Sequence, residues 1–81
     1  MLNRQWVSFH LSEAIRELQK VTSALESRAM TREEFEIALE HAYHHINTAW
    51  NSRSITNEEA KNHSDADYIR WRQFPTELNL L

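Results

Sequence analysis

Three histidines fall within five positions, His41, His44 and His45, flanked by Glu40, Tyr43 and Trp50. Imidazole and carboxylate groups are the ordinary ligands of a zinc-like ion, so metal binding is the first chemistry this cluster raises. His41 and His45 stand four residues apart, the spacing by which helical metal motifs present two histidines together, and they are the candidate ligands. Third and fourth ligands would have to come from His10, His63, Asp65 or Asp67, which requires the C-terminal segment to fold alongside. The local order argues otherwise. It is not the His-Glu-x-x-His of the metalloprotease helix, and no glutamate precedes any of the three histidines by three, as di-iron bundles need. A histidine offers an apolar ring edge and a polar tip, which suits the rim of a core. The expectation is therefore rim histidines with no metal and no cofactor. A further reading is a pH-sensitive contact, because neighbouring histidines protonate unfavourably together.

Other chemistries find less support. The chain has no cysteine and no glycine. Thiol nucleophiles, disulfides and thiolate metal sites are excluded, and so are glycine-rich phosphate loops and glycine-flanked serine elbows. The carboxylate pairs Glu33–Glu34 and Glu58–Glu59 sit where helices start, and the helix dipole accounts for them there. No enzyme is expected. "YIRWRQF", residues 68–74, interleaves aromatic and basic residues as single-strand nucleic-acid binders do. Here, however, only Arg70 and Arg72 are available, close to Asp65 and Asp67, in a chain of net charge −3. Packing of Tyr68, Trp71 and Phe74 is the simpler reading. Asn47, Asn51, Trp50 and Arg53 form a possible polar patch, and the simpler reading is that Asn51 and Ser52 end a helix with Arg53 near its negative end. No apolar run reaches the length of a membrane span, and charges come too early for a signal peptide, so the expected location is cytoplasmic.

The elements that must carry these residues are helices. Val7, Leu11, Ala14, Leu18, Val21 and Leu25 step by four and three, a heptad seam over about residues 3–27. Thr31 and Glu34 form a capping box, with Met30 and Phe35 as a hydrophobic staple, and open a second helix over about residues 32–52. Its stripe is Phe35, Leu39, Ala42, Ile46 and Ala49. The short connection implies an antiparallel hairpin. Thr56 with Glu59 can open a turn or two of helix, and Ser64 with Asp67 a third helix over about residues 65–73. Pro75 bars helical geometry at the residue before it. The tail, residues 76–81, carries Leu78, Leu80 and Leu81 and is expected to dock on the hairpin.

The run "LEHAYHHINTAWNSR", residues 39–53, together with "YIRWRQFPTEL", residues 68–78, resembles a group of small uncharacterised all-helical proteins of cyanobacteria. The resemblance covers the second helix and the C-terminal segment. It implies a cytoplasmic helical protein and transfers no activity and no functional residue.

The fold expected is all-α, one domain over residues 1–81: an antiparallel helical hairpin, a shorter C-terminal helix and a tail. Eight large rings are more than one hairpin can bury. The function expected is a non-enzymatic protein-interaction or regulatory module acting through helix faces, with a homodimer forming a four-helix arrangement. Trp6, Phe9, Trp50 and Trp71 are the expected interface anchors, since aromatic residues dominate interface energetics. The alternative is a histidine–carboxylate metal protein, a small hydrolase or metal carrier. A nucleic-acid binder is the third reading.

Overall fold

The computed structural model describes residues 1–75. The tail expected to dock, residues 76–81, lies outside them. The described chain is all-helical: α1 (Arg4–Glu26), α2 (Arg32–Asn51), α3 (Asn57–Lys61) and α4 (Asp65–Arg72). The short helix α3 is the turn or two that Thr56 with Glu59 opens, beside the three longer helices expected. No helix among the described residues is long and apolar enough to cross a membrane.

Local chemistry sets each helix start. Asn3 caps α1 by accepting from the Trp6 amide at 3.1 Å. Thr31–Glu34, Thr56–Glu59 and Ser64–Asp67 are reciprocal capping boxes on α2, α3 and α4. Each satisfies two backbone donors that a helix start otherwise leaves open.

Helix ends are harder to make without glycine. α1 closes in a Schellman motif, the Ala29 amide donating to the Ala24 carbonyl at 2.9 Å and the Arg28 amide to that of Leu25 at 3.2 Å. The motif needs a left-handed residue, and Arg28 supplies it at φ 57°. The end of α4 is closed by side chains instead. Asn51 Nδ2 donates to the carbonyls of Trp71 at 2.7 Å and Gln73 at 2.6 Å. Asn47 Nδ2 donates to that of Arg72 at 3.1 Å. These asparagines fasten α4 to α2; Gln73 beyond it is already extended, at φ −72° and ψ 148°.

The hairpin is antiparallel. Trp6 meets Ser52, His10 meets His45 and Glu17 meets His41, so the second index falls as the first rises. Ala14 and Val21 of α1 and Ala42 and Ala49 of α2 are the buried apolar residues of its seam. Small residues draw the two helices together and leave the larger seam residues outside the line of contact. Helices α3 and α4 cover one face of the hairpin near the N-terminus of α1 and the C-terminus of α2. Trp71 is 4 % exposed there, with Ala60 buried beside it. Its ring meets Trp6 edge-on at 6.0 Å and lies 5.3 Å from the His63 ring. Asn3 ties the same end together, its amide donating to the Arg53 carbonyl and its Nδ2 to the Ile55 carbonyl, both at 2.7 Å.

Candidate functional site

The histidine cluster is pulled apart by its surroundings. His41 Nδ1 lies 3.5 Å from a Glu17 carboxylate oxygen. His44 lies against Arg72, Nδ1 to Nη2 at 3.0 Å, with Glu40 at 3.7 Å. His45 turns to α1, where its Nδ1 is 2.9 Å from Nδ1 of His10. The rings of His41 and His45 stay close, with centroids 5.0 Å apart.

Of the further ligands expected, His10 alone is seen against the pair. His63 donates from Nδ1 to the Ala60 carbonyl at 2.7 Å. Asp67 accepts from the Ser64 amide at 3.1 Å and from Arg70 at 2.7 Å. Asp65 is exposed in the first turn of α4. Among the described residues, no three histidine, aspartate or glutamate side chains are grouped so as to hold a metal ion.

Burial governs the electrostatics of this line. His10 is 7 % exposed. Burial first, then the His45 charge, push its pKa down to about 4, with Glu13 opposing. His45 is also lowered, by burial and then by His41, against Glu13 and Glu17. His44 is lowered by burial and then by Arg72, against Glu40. These three rings are thereby favoured in the neutral form.

The residues expected at an interface lie in different surroundings. Trp71 is inside the fold. Trp6 is half-buried beneath it, donating from Nε1 to Ser52 Oγ at 2.8 Å. Both are spent on the chain's own packing, because α3 and α4 fold back over them. Trp50 is half-buried with the Arg53 guanidinium 4.1 Å from its ring centroid. Phe9 is 53 % exposed but borders a hollow beside α3, shared with Gln5, Trp6, Asn57, Ala60 and Lys61. In "YIRWRQF", Arg70 pairs with Asp67, Arg72 lies over Tyr68 and against His44, and Phe74 stacks on Tyr43.

The larger apolar surface lies on the other side of the hairpin. On a wheel of about 100° per residue, Leu11, Ile15, Leu18 and Leu25 fall to one side of the Ala14–Val21 line. Leu39, Tyr43 and Ile46 fall to the same rotational side of the Ala42–Ala49 line. In an antiparallel pair, equal rotation on both helices turns toward one common face. All seven side chains are exposed. The register set by the Trp6–Ser52, His10–His45 and Glu17–His41 contacts puts Leu11 level with Ile46 and Leu18 level with Leu39. The stretches that carry the face hold no charged residue in its sector between Leu11 and Leu25, or between Leu39 and Ile46. At its α2 edge a hollow of about 420 Å³ opens between Phe35, Leu39, Tyr43 and Phe74, with Arg72 and His44 at its polar end.

Sequence reasoning read Leu11, Leu18, Leu25, Leu39 and Ile46 into the two heptad seams, alongside the alanines. The signal that separates them is the alternation of small and large residues along each seam, Ala14 and Val21 against Leu11, Leu18 and Leu25, and Ala42 and Ala49 against Leu39 and Ile46.

No family model, no curated protein and no solved structure matches the chain.

Proposed function

We propose that the chain is a small cytoplasmic, non-enzymatic interaction module, and that its partner is a second copy of itself. Two hairpins pair through the face of Leu11, Ile15, Leu18, Leu25, Leu39 and Ile46 to make a four-helix arrangement. The observation that carries this reading is that one half of each heptad seam is buried within the hairpin and the other half is turned outward on a common face.

The dimensions support it. From Leu11 to Leu25 the face runs about 21 Å at ~1.5 Å per residue. Two helices packed ~8–10 Å apart make it roughly 20 Å wide, or on the order of 400 Å². That is about half of the ~800 Å² per partner of a standard interface, which suits a dimer that dissociates on dilution. An apolar, uncharged strip can meet its own copy, as a two-fold interface requires, and the largest apolar patch of a domain, on the order of a few hundred Å², is often a functional one. The composition supports the same reading. With alanines in the seam, the hairpin buries little apolar area of its own, and a small domain gains the missing burial by association.

The test is solution mass by light scattering at micromolar to submillimolar concentration, for the wild type and for Leu18→Glu and Phe9→Glu. The expected result is a dimer that Leu18→Glu converts to a helical monomer, while Phe9→Glu, on the α3 side, leaves the mass unchanged. A wild-type monomer throughout that range overturns the proposal.

A further inference from the structure

His10 and His45 meet across the hairpin by like atoms, Nδ1 to Nδ1 at 2.9 Å. Such a contact is a hydrogen bond only when one proton lies between the two nitrogens. With none, two lone pairs face each other; with two, two N–H groups do. The other nitrogen of His10, Nε2, is buried and has no hydrogen-bond partner among the described residues. A buried N–H without an acceptor is rarer than a buried acceptor left open. His10 therefore carries its proton on Nδ1 and donates, and His45 accepts at Nδ1 and carries its own proton on Nε2.

We infer that this pair is a proton-operated latch between α1 and α2, closed while a single proton is shared across the contact and opened when a second proton arrives. A proton added to His45 Nδ1 confronts the N–H of His10. Relief requires His10 to move its own proton to Nε2, where it is buried without an acceptor. The first arrangement breaks the contact; the second keeps one proton between the rings but buries the His10 Nε2–H without an acceptor. A charge on both rings abolishes the contact.

The charged and titratable neighbours set the balance. From α1, Glu13 favours charge on both rings, and Glu17 favours it on His45. From α2, His41 and His44 oppose charge on His45. α3 brings Lys61 to the hollow beside Phe9, and α4 brings Arg72, held against His44. The rings of Trp6 and Phe9 stand edge-on to His10 at 4.4 Å and 5.1 Å, without charge. The latch therefore joins the hairpin to the Trp6–Trp71 cluster that α3 and α4 cover. Its opening as pH falls toward 4 loosens that end of the molecule. The apolar face lies on the other side of the hairpin, so the latch does not depend on self-association.

Long-range proton–nitrogen NMR of the wild-type chain reads the tautomers directly, and titration from pH 7.5 to pH 4 on the order of the histidine range follows the Trp6 indole signal. His45→Asn is the informative variant. Its carboxamide oxygen takes the place of Nδ1, accepts from His10, and does not titrate. The expected results are the Nδ1–H tautomer on His10, the Nε2–H tautomer on His45, and an acid shift of the Trp6 signal that His45→Asn reduces and moves in midpoint. An Nε2–H tautomer on His10, or an acid shift that His45→Asn leaves with the same midpoint and size, overturns the latch. Should that variant not fold, the wild-type tautomers and the coincidence of the Trp6 shift with histidine protonation decide the matter alone.

Discussion

Ala14 and Leu18 lie one helical turn apart on α1, yet Ala14 is 3 % exposed and Leu18 is 38 % exposed. Both belong to the heptad stripe that would conventionally be read as a single buried seam. The difference follows from size. Alanine at the line of closest approach lets α1 and α2 come together, and the leucine beside it then stands outside the contact. The same division runs along α2, between Ala42 and Ile46.

Enlarging the seam should separate the helices. Ala14→Leu inserts a branched side chain where an alanine is nearly fully buried, and overpacking of this kind costs ~1–3 kcal/mol. Urea denaturation should show the loss. An unchanged midpoint would mean that the seam is looser than the burial of Ala14 indicates.

Ser52 is 1 % exposed and links two partners, accepting from Trp6 Nε1 and donating to the Thr48 carbonyl. Ser52→Ala leaves the indole N–H of a half-buried ring without that acceptor. The expected cost is ~1–3 kcal/mol, with a shift in the Trp6 indole resonance. Ser52→Thr, which retains the hydroxyl, separates loss of the bond from a simple change in packing.

Arg28 holds a left-handed backbone, φ 57°, in the loop after α1. A side chain in that region costs roughly 1–2 kcal/mol relative to glycine, part of which glycine returns through its greater freedom in the unfolded chain. Arg28→Gly should therefore stabilise the chain by about 0.5–1 kcal/mol. A destabilised variant would show that the arginine side chain contributes more than its backbone costs.

The pH dependence has a definite sign. His10 is held at about 4 against an ordinary 6.5. Between those values the unfolded chain binds a proton that the folded chain refuses, so stability rises with pH across that window. The contribution is fully present above 6.5 and is lost as pH falls toward 4. The capping carboxylates of Glu34 and Asp67 are lowered chiefly by hydrogen bonds from Thr31 and Ser64. Their contributions are present above the ordinary values of 4.5 and 3.8 and fall away at lower pH, so above about pH 5 the histidines govern the slope. Urea midpoints at pH 7.5, 6 and 5, spanning the histidine range of roughly 5–8, should decline for the wild type and decline less for His10→Phe. Equal declines would remove His10 as the cause.

What could be read in advance was what depends on near neighbours. Thr31 with Glu34 and Ser64 with Asp67 announce helix starts because a capping box is complete within four residues. Thr56 with Glu59 does so as well, though a helix of five residues leaves too short a pattern to fix its extent. What depended on distant parts of the chain was hidden. The burial of Trp71 requires α4 to return to α1, and the role of Asn51 requires the end of α4 to reach α2. Neither leaves a periodic trace. The outward face was concealed for another reason. Periodicity treats alanine and leucine alike, whereas the choice of which seam residues face inward depends on their volume. For the histidines, spacing put His41 and His45 on one flank but could not show that His45 meets His10.

The account rests most on the face of Leu11, Leu18, Leu39 and Ile46 being covered by a second copy. Light scattering of the wild-type chain across a dilution series, beside Leu18→Glu, tests this directly. The account predicts a dimer that dissociates on dilution and a Leu18→Glu variant that is monomeric at every concentration with its helical signal intact. A wild-type monomer at the highest concentration, or a Leu18→Glu variant that remains a dimer, would contradict it.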